Sequence, residues 1–130
     1  MGVHFVTKQS PHPLDATLDR LERAARSAGA TIFGRIDHHA GAVAVGLTLR
    51  PTTVLLFGNP NAGTPLMQER QMIGLDLPLR VLAWQDERQR VWLSYRDPTD
   101  VARDHDVPGD DTHVVALSAA LRKLTDEAIE

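Results

Sequence analysis

The sequence predicts a domain that sets helices against an antiparallel sheet, and three observations point to that class. Two stretches, one opening at Pro13 and one at Thr112, repeat their apolar residues at spacings of three and four, as amphipathic helices do. Between them, positions 79–85 and 90–95 read as the arms of a β-hairpin. A short apolar run at 54–57 ends in glycine, asparagine and proline, the way a buried strand hands the chain to a turn.

Taken in order, positions 3–7 alternate as a short strand, and 8–13 form a polar, proline-containing connector. Pro13 opens a helix whose inner stripe is Leu14, Leu18, Leu21, Ala25 and Ala28. Asp15 and Asp19 come early in it, Arg23 and Arg26 late, in accord with the helix dipole, and Gly29 closes it. Positions 31–37 are the next strand. An Ala-rich helical turn from His38 ends at Gly46. Pro51 then biases Arg50 away from helix, so positions 47–50 run extended into the apolar strand.

After that strand, Thr64 and Pro65 read as N-cap and first residue of a helix that runs to about Ile73 and is closed by Gly74. The hairpin follows, with Asp86, Glu87, Arg88 and Gln89 as an even loop. That register pairs Trp84 with Val91, Leu82 with Leu93 and Arg80 with Tyr95, and on the other face Ala83 with Trp92 and Val81 with Ser94. Both faces then carry apolar residues, whereas an antiparallel sheet with one helical layer usually keeps one polar face. The face bearing Val81, Ala83 and Trp92 is either covered by a partner subunit or packed under the C-terminal helix. Asp97 caps a short helix to about His105. A loop follows, and Val114, Leu117, Ser118, Leu121, Leu124 and Ala128 mark the last helix. Its acidic last turn, with Asp126, Glu127 and Glu130, opposes the dipole and is expected to fray.

At 130 residues the chain is long enough to bury roughly two-thirds of its unfolded surface in one core. It contains no cysteine, which removes thiol chemistry and Cys-based metal sites and makes a cytoplasmic location the simplest expectation. No signal-like leader and no apolar run of about 18 residues is present. The net charge is −3, and the basic residues are scattered arginines with only Lys8 and Lys123 besides. A nucleic-acid surface needs a basic stripe that releases counterions, so no nucleic-acid partner is expected, and the same acidity argues against an anionic membrane.

The 58–64 segment is the candidate binding element. A strand that feeds a glycine-bearing loop into a helix start leaves amides free and aims a partial positive charge outward, an arrangement suited to an anion. The loop has no lysine and matches neither GxxxxGK[ST] nor GxGxxG, so no nucleotide cofactor is implied, and a well-capped structural turn is the plainer account of it.

These residues also carry a resemblance. GNPNAGTPLM, with Asp37-His38 upstream, Arg50-Pro51-Thr52 leading into the strand and GLDLPL downstream, resembles the DUF302 family of small bacterial and archaeal proteins over about positions 32–98. The resemblance implies an α+β domain like that of the TATA-binding protein, a single curved antiparallel sheet with helices mainly on one face, and a homodimer. It implies no activity and no catalytic residues. Another branch of that family has cysteine before the Asn-Pro pair, where this chain has Gly58.

Asp37, His38 and His39 are adjacent at a strand end that the implied fold brings toward the 58–64 loop. A carboxylate beside imidazoles suits acid/base work or a divalent metal, although Asp37 as a helix cap explains the pair as well. A second polar group, Asp104, His105, Asp106, Asp110, Asp111 and His113, fits no known metal-loop spacing, and no metal site is assigned. No serine sits in a nucleophile elbow. Three readings remain. The favoured one is a homodimeric binding module for a small, anionic ligand at Asp37, His38, Arg50, Gly58, Asn59, Gly63 and Thr64. The others are a small acid/base or metal-assisted enzyme using Asp37 and His38, and a protein-interaction domain.

Overall fold

The computed structural model describes residues 5–130. Its elements run β1 (Phe5–Ser10), α1 (Leu14–Ser27), β2 (Thr31–Asp37), α2 (His38–Ala44), β3 (Thr52–Gly58), α3 (Pro60–Glu69), a 3₁₀ turn (Gln71–Asp76), β4 (Leu79–Gln85), β5 (Val91–Arg96), α4 (Pro98–Asp104) and α5 (Thr112–Ala128). The strands form one open antiparallel sheet in the order β1-β5-β4-β3-β2. The class is therefore α+β, as the sequence implied. Among the described residues no helix is long and apolar enough to cross a membrane.

The core lies between one sheet face and the pair α1 and α5. Leu55 and Phe57 of β3, Val81 and Ala83 of β4, and Val91, Leu93 and Tyr95 of β5 alternate inward. They meet Leu14, Leu18, Leu21 and Ala25 of α1 and Leu121, Leu124 and Ala128 of α5. In α1 this is the stripe that the helical spacing predicted except for Ala28, which is the C-cap and exposed, and Thr17 joins it through a 2.6 Å hydrogen bond to Ser10.

β1 continues to Ser10, past the position where the sequence reading ended it; Val3 and His4 of that reading lie outside the described residues. Polar Lys8 sits in the strand because Nζ finds partners in α5, donating to Thr125 Oγ1 at 2.7 Å, Asp126 Oδ1 at 2.8 Å and the Arg122 carbonyl at 3.2 Å. The end of α5 is likewise held rather than left to fray. Arg20 donates to the carbonyls of Glu127, Ala128 and Glu130, satisfying acceptors that a helix terminus leaves open.

The hairpin is shifted by one residue from the even register. Trp84 pairs with Trp92, Leu82 with Ser94 and Ala83 with Leu93. The cause is a bulged turn: the Asp86 amide donates to the Arg90 carbonyl, and Gln89 takes the left-handed conformation at φ 64°. One slipped residue moves every side chain to the opposite face. Val81 and Ala83, expected at an interface with Trp92, are wholly buried in the core. Trp92 faces the other way and stacks on Trp84 with ring centroids 6.1 Å apart.

Asp86 anchors this turn. Its carboxylate accepts from the Arg88 and Arg90 amides, from Arg90 Nε at 2.8 Å and from Trp92 Nε1 at 2.9 Å. Burial opposes ionisation, but the hydrogen bonds outweigh it and hold the carboxyl well below the usual carboxylate range. A carboxyl depressed by folding stabilises the fold above its unfolded pKa of about 4 and loses that contribution as pH falls toward its folded value. Asp86→Asn is therefore expected to be less stable than the native chain at pH 7, the gap closing as the solution is acidified below about pH 4. Urea denaturation of both proteins across that range checks it; a gap independent of pH would contradict it.

The open sheet face is apolar through its middle. Cross-strand neighbours Thr7, Ser94, Leu82, Val54 and Ile36 form one row over all five strands, flanked by Trp84 and Trp92 on one side and Leu56 on the other. Beside it, Val43, Val45, Leu47 and Leu49 of α2 and the segment after it are exposed.

Candidate functional site

The strand-to-helix junction after β3 decides what the 58–64 segment can bind. The helix starts at Pro60, not at Pro65, with Asn59 as its N-cap. Asn59 has the stronger local signature: its side chain accepts from the Asn61 amide at 2.9 Å, and Pro60 takes the first helical position, where a missing N–H costs nothing. Pro65 is then carried inside the helix. The consequence for the expected anion nest is direct. The Asn59 carbonyl accepts from the Ala62 amide at 2.8 Å and the Gly63 amide at 2.9 Å, and Pro60 has none to offer. The donors that were to cradle an anion are spent within the helix start.

The segment lines a cavity instead. An open pocket of about 280 Å³ lies beside Gly58, Asn59, Pro60, Gly63 and Thr64 and is further lined by Phe33, Met67, Gly74, Leu77, Pro78, Leu79 and Leu117. Its walls are almost wholly apolar. Two glycines form part of its wall: a Cβ at Gly63 would stand 3.4 Å from Leu77 Cδ1, and one at Gly58 3.5 Å from Pro78 Cβ and 3.6 Å from the Phe33 ring, ordinary contact distances. Phe33 reaches this place from the irregular step in the β2–β3 register between Ile32 and Gly34. A second core cluster, with Leu66, Ile73, Ala102, Val107, Val114 and Leu117 buried, packs α3, the 3₁₀ turn, α4 and α5 behind the cavity.

The other expected site residues do not join it. Asp37 pairs with Thr53 at the start of β3, whereas Gly58 ends the same strand opposite Thr31. Five residues of strand separate them, about 17 Å. His38 and Arg50 lie at the Asp37 end by connectivity, so the seven candidate residues divide into two groups rather than forming one site. Asp37 acts as a helix cap, accepting from the Ala40 amide at 2.8 Å. His38 is exposed, and its neighbour His39 is the imidazole that bonds a backbone carbonyl, that of Leu49.

The second polar group also disperses. Asp104 pairs with Arg96 at 2.8 Å, which lowers its pKa, while His105 Nε2 meets Asp76 Oδ2 at 2.6 Å and Asp111 caps α5 through the His113 and Val114 amides. Among the described residues no three His, Asp or Glu side chains converge as a metal site would require. Sequence reasoning missed Phe33, Met67, Leu77 and Pro78. The signal it had was the cluster of glycines at 58, 63 and 74, which here mark where side chains approach one another.

Comparison with known proteins agrees with this fold. A crystal structure of an uncharacterized conserved DUF302 protein from Bacillus stearothermophilus superposes with a TM-score of 0.88 over 95% of this chain and 97% of that one, at 18% identity. Two relatives named Fluoride-specific ion channel FluC 1, from Brucella suis and Brucella abortus, are each 48% identical over 101 residues. The matched stretch is 78% of this chain but only 40% and 37% of those proteins. The family model of a domain of unknown function, DUF302, matches residues 6–128, and the chain belongs to that family.

Proposed function

We propose that the chain is a homodimeric, cytoplasmic binding module for a small ligand held in the cavity beside Gly58, Asn59, Gly63 and Thr64. The observation that carries this reading is a preformed apolar space, near the small end of ligand-pocket volumes, at the end of β3, a strand paired on both sides. Its chemistry favours a largely apolar molecule of one or two rings, because the amides at the helix start are already bonded. The dimer forms through the open sheet face, with Trp92 in the contact and Val81 and Ala83 outside it.

A thermal-unfolding screen against small aromatic and aliphatic compounds tests the ligand. A compound at about a hundred times its dissociation constant adds roughly 2.7 kcal/mol of stability. The matching variant is Gly63→Leu, which fills the cavity and replaces a helical glycine with a strong helix former. The native protein is expected to show a shift that the variant lacks. No shift with any compound, or equal shifts in both proteins, would contradict the reading.

A second reading is favoured by the relatives named as fluoride-specific ion channels, which carry a matching stretch within longer chains. On it, this domain serves a process that handles fluoride. Adding fluoride to the same screen, with chloride as control, separates the two: a fluoride-specific shift that survives Gly63→Leu favours the second.

A further inference from the structure

We propose that Phe33 sets the ligand class of the pocket beside Gly58: its ring makes that pocket prefer a flat aromatic molecule to a saturated one of the same skeleton. The inference rests on the reading of this pocket as a ligand site and names what the site selects.

The backbone of β2 puts the ring there. β2 is an edge strand, and its ladder to β3 carries one extra residue. Ile32 pairs with Phe57 and Gly34 with the adjacent Leu56, so Phe33 has no partner of its own. A bulge of this kind bends the strand and re-aims a side chain, and such bulges gather at sheet edges and next to active sites. Gly34 takes φ 155°, a conformation that other residues rarely adopt, so the local sequence specifies the irregular step. In an unbroken ladder Phe33 would stand opposite Leu56; here its Cε2 lies 3.6 Å from the position of a Cβ on Gly58, at the end of β3.

Phe33 is the one aromatic among the residues that line the pocket, and it is 59% exposed. A large ring left in water at the edge of an apolar pocket is stabilised when a ligand covers it. Burial alone would accept any apolar molecule, but a phenyl ring gives an aromatic partner a further contribution through offset or edge-to-face contact. Met67 lines the same pocket, and its thioether reinforces the preference because sulfur packs favourably at ring edges. The leucines, prolines and glycines of the remaining wall make no such distinction.

Methyl NMR titration of the native protein and of Phe33→Leu with benzyl alcohol and cyclohexylmethanol, read at Met67, tests this. The two alcohols share a skeleton, and the saturated one is the more hydrophobic, so burial alone favours it. The native protein is expected to bind benzyl alcohol about fivefold more tightly than cyclohexylmethanol, the order of an aromatic pair contact. Phe33→Leu keeps an apolar wall and should bind both with the preference lost, whereas Phe33→Tyr should retain it. Circular dichroism confirms that each variant is folded, and sedimentation equilibrium shows whether its association has changed. If neither alcohol binds the native protein, the pocket reading itself fails and the proposal with it. If both bind without an aromatic preference, or if folded Phe33→Leu keeps that preference, the pocket stands and the role of Phe33 is overturned. A Phe33→Leu protein that keeps the preference but associates less tightly would assign the ring to a contact between copies instead.

Discussion

Phe57→Ala is expected to destabilise the domain by about 3–5 kcal/mol, the usual cost of emptying a large aromatic site in a packed core. Phe57 is 1% exposed and lies on the inner face of β3, paired across the sheet with Ile32 on one side and Leu79 on the other. It belongs to the cluster that joins the sheet to α1 and α5, so its removal leaves a void that neither neighbouring strand nor helix can close without losing its own register. Set against a total stability of roughly 5–15 kcal/mol, that is a large fraction. Val115→Ala is the control: on α5, away from the open sheet face, 52% exposed, and expected to cost under about 1 kcal/mol. Urea denaturation of the three proteins measures the contrast; comparable losses at the two sites would mean that the core is not where the structure puts it.

Leu82→Glu is expected to convert the proposed dimer to monomer, weakening association by about 2 kcal/mol or more, roughly thirtyfold in dissociation constant. Leu82 sits in the middle of the cross-strand row between Ser94 and Val54, beside the stacked Trp84 and Trp92. Trp84 Nε1 is satisfied by Ser94 Oγ at 2.9 Å and Trp92 Nε1 by Asp86, so both indoles present their rings without an unpaired polar atom. Such a surface is suited to burial against a second copy, and a carboxylate placed at its centre would be desolvated without a partner. Sedimentation equilibrium of native and variant protein measures the effect. A native protein that stays monomeric at high concentration, or a variant that associates as tightly, would remove the open face from the account.

Where the sequence was informative, the reason was local. α1 and α5 came from side-chain periodicity and turn residues. Asp97 revealed its helix because a cap acts within its own turn: its carboxylate accepts from the Thr99 amide at 2.9 Å. The errors arose where two local solutions competed or distant residues decided. Asn59-Pro60 and Thr64-Pro65 both read as helix starts, and the structure uses the first. The hairpin loop offered no glycine to mark the residue at positive φ, so nothing local announced Gln89 or the register it sets. Fraying of α5 was expected from its own charges, but Arg20, 108 residues before Ala128, supplies the missing donors.

The candidate site was legible only in part, for the same reason. Glycines at 58, 63 and 74 indicated close approach, but what approaches them are Phe33 of β2, Met67 one turn later in α3, and the consecutive Leu77 and Pro78 before β4. The pairing of Asp37 and Arg50 with the 58–64 segment failed because a seven-residue β3 lies between them, a length that periodicity describes and proximity in sequence conceals.

The most direct test is a methyl NMR titration of Met67, whose Cε lies 3.9 Å from where a Cβ at Gly63 would stand. Toluene and indole serve as probes, added to the native protein and to Gly63→Leu. The account predicts saturable shifts of the Met67 and Leu77 methyl signals in the native protein and none in the variant. Signals that stay fixed in the native protein, or move equally in both, would contradict a ligand cavity at this end of β3.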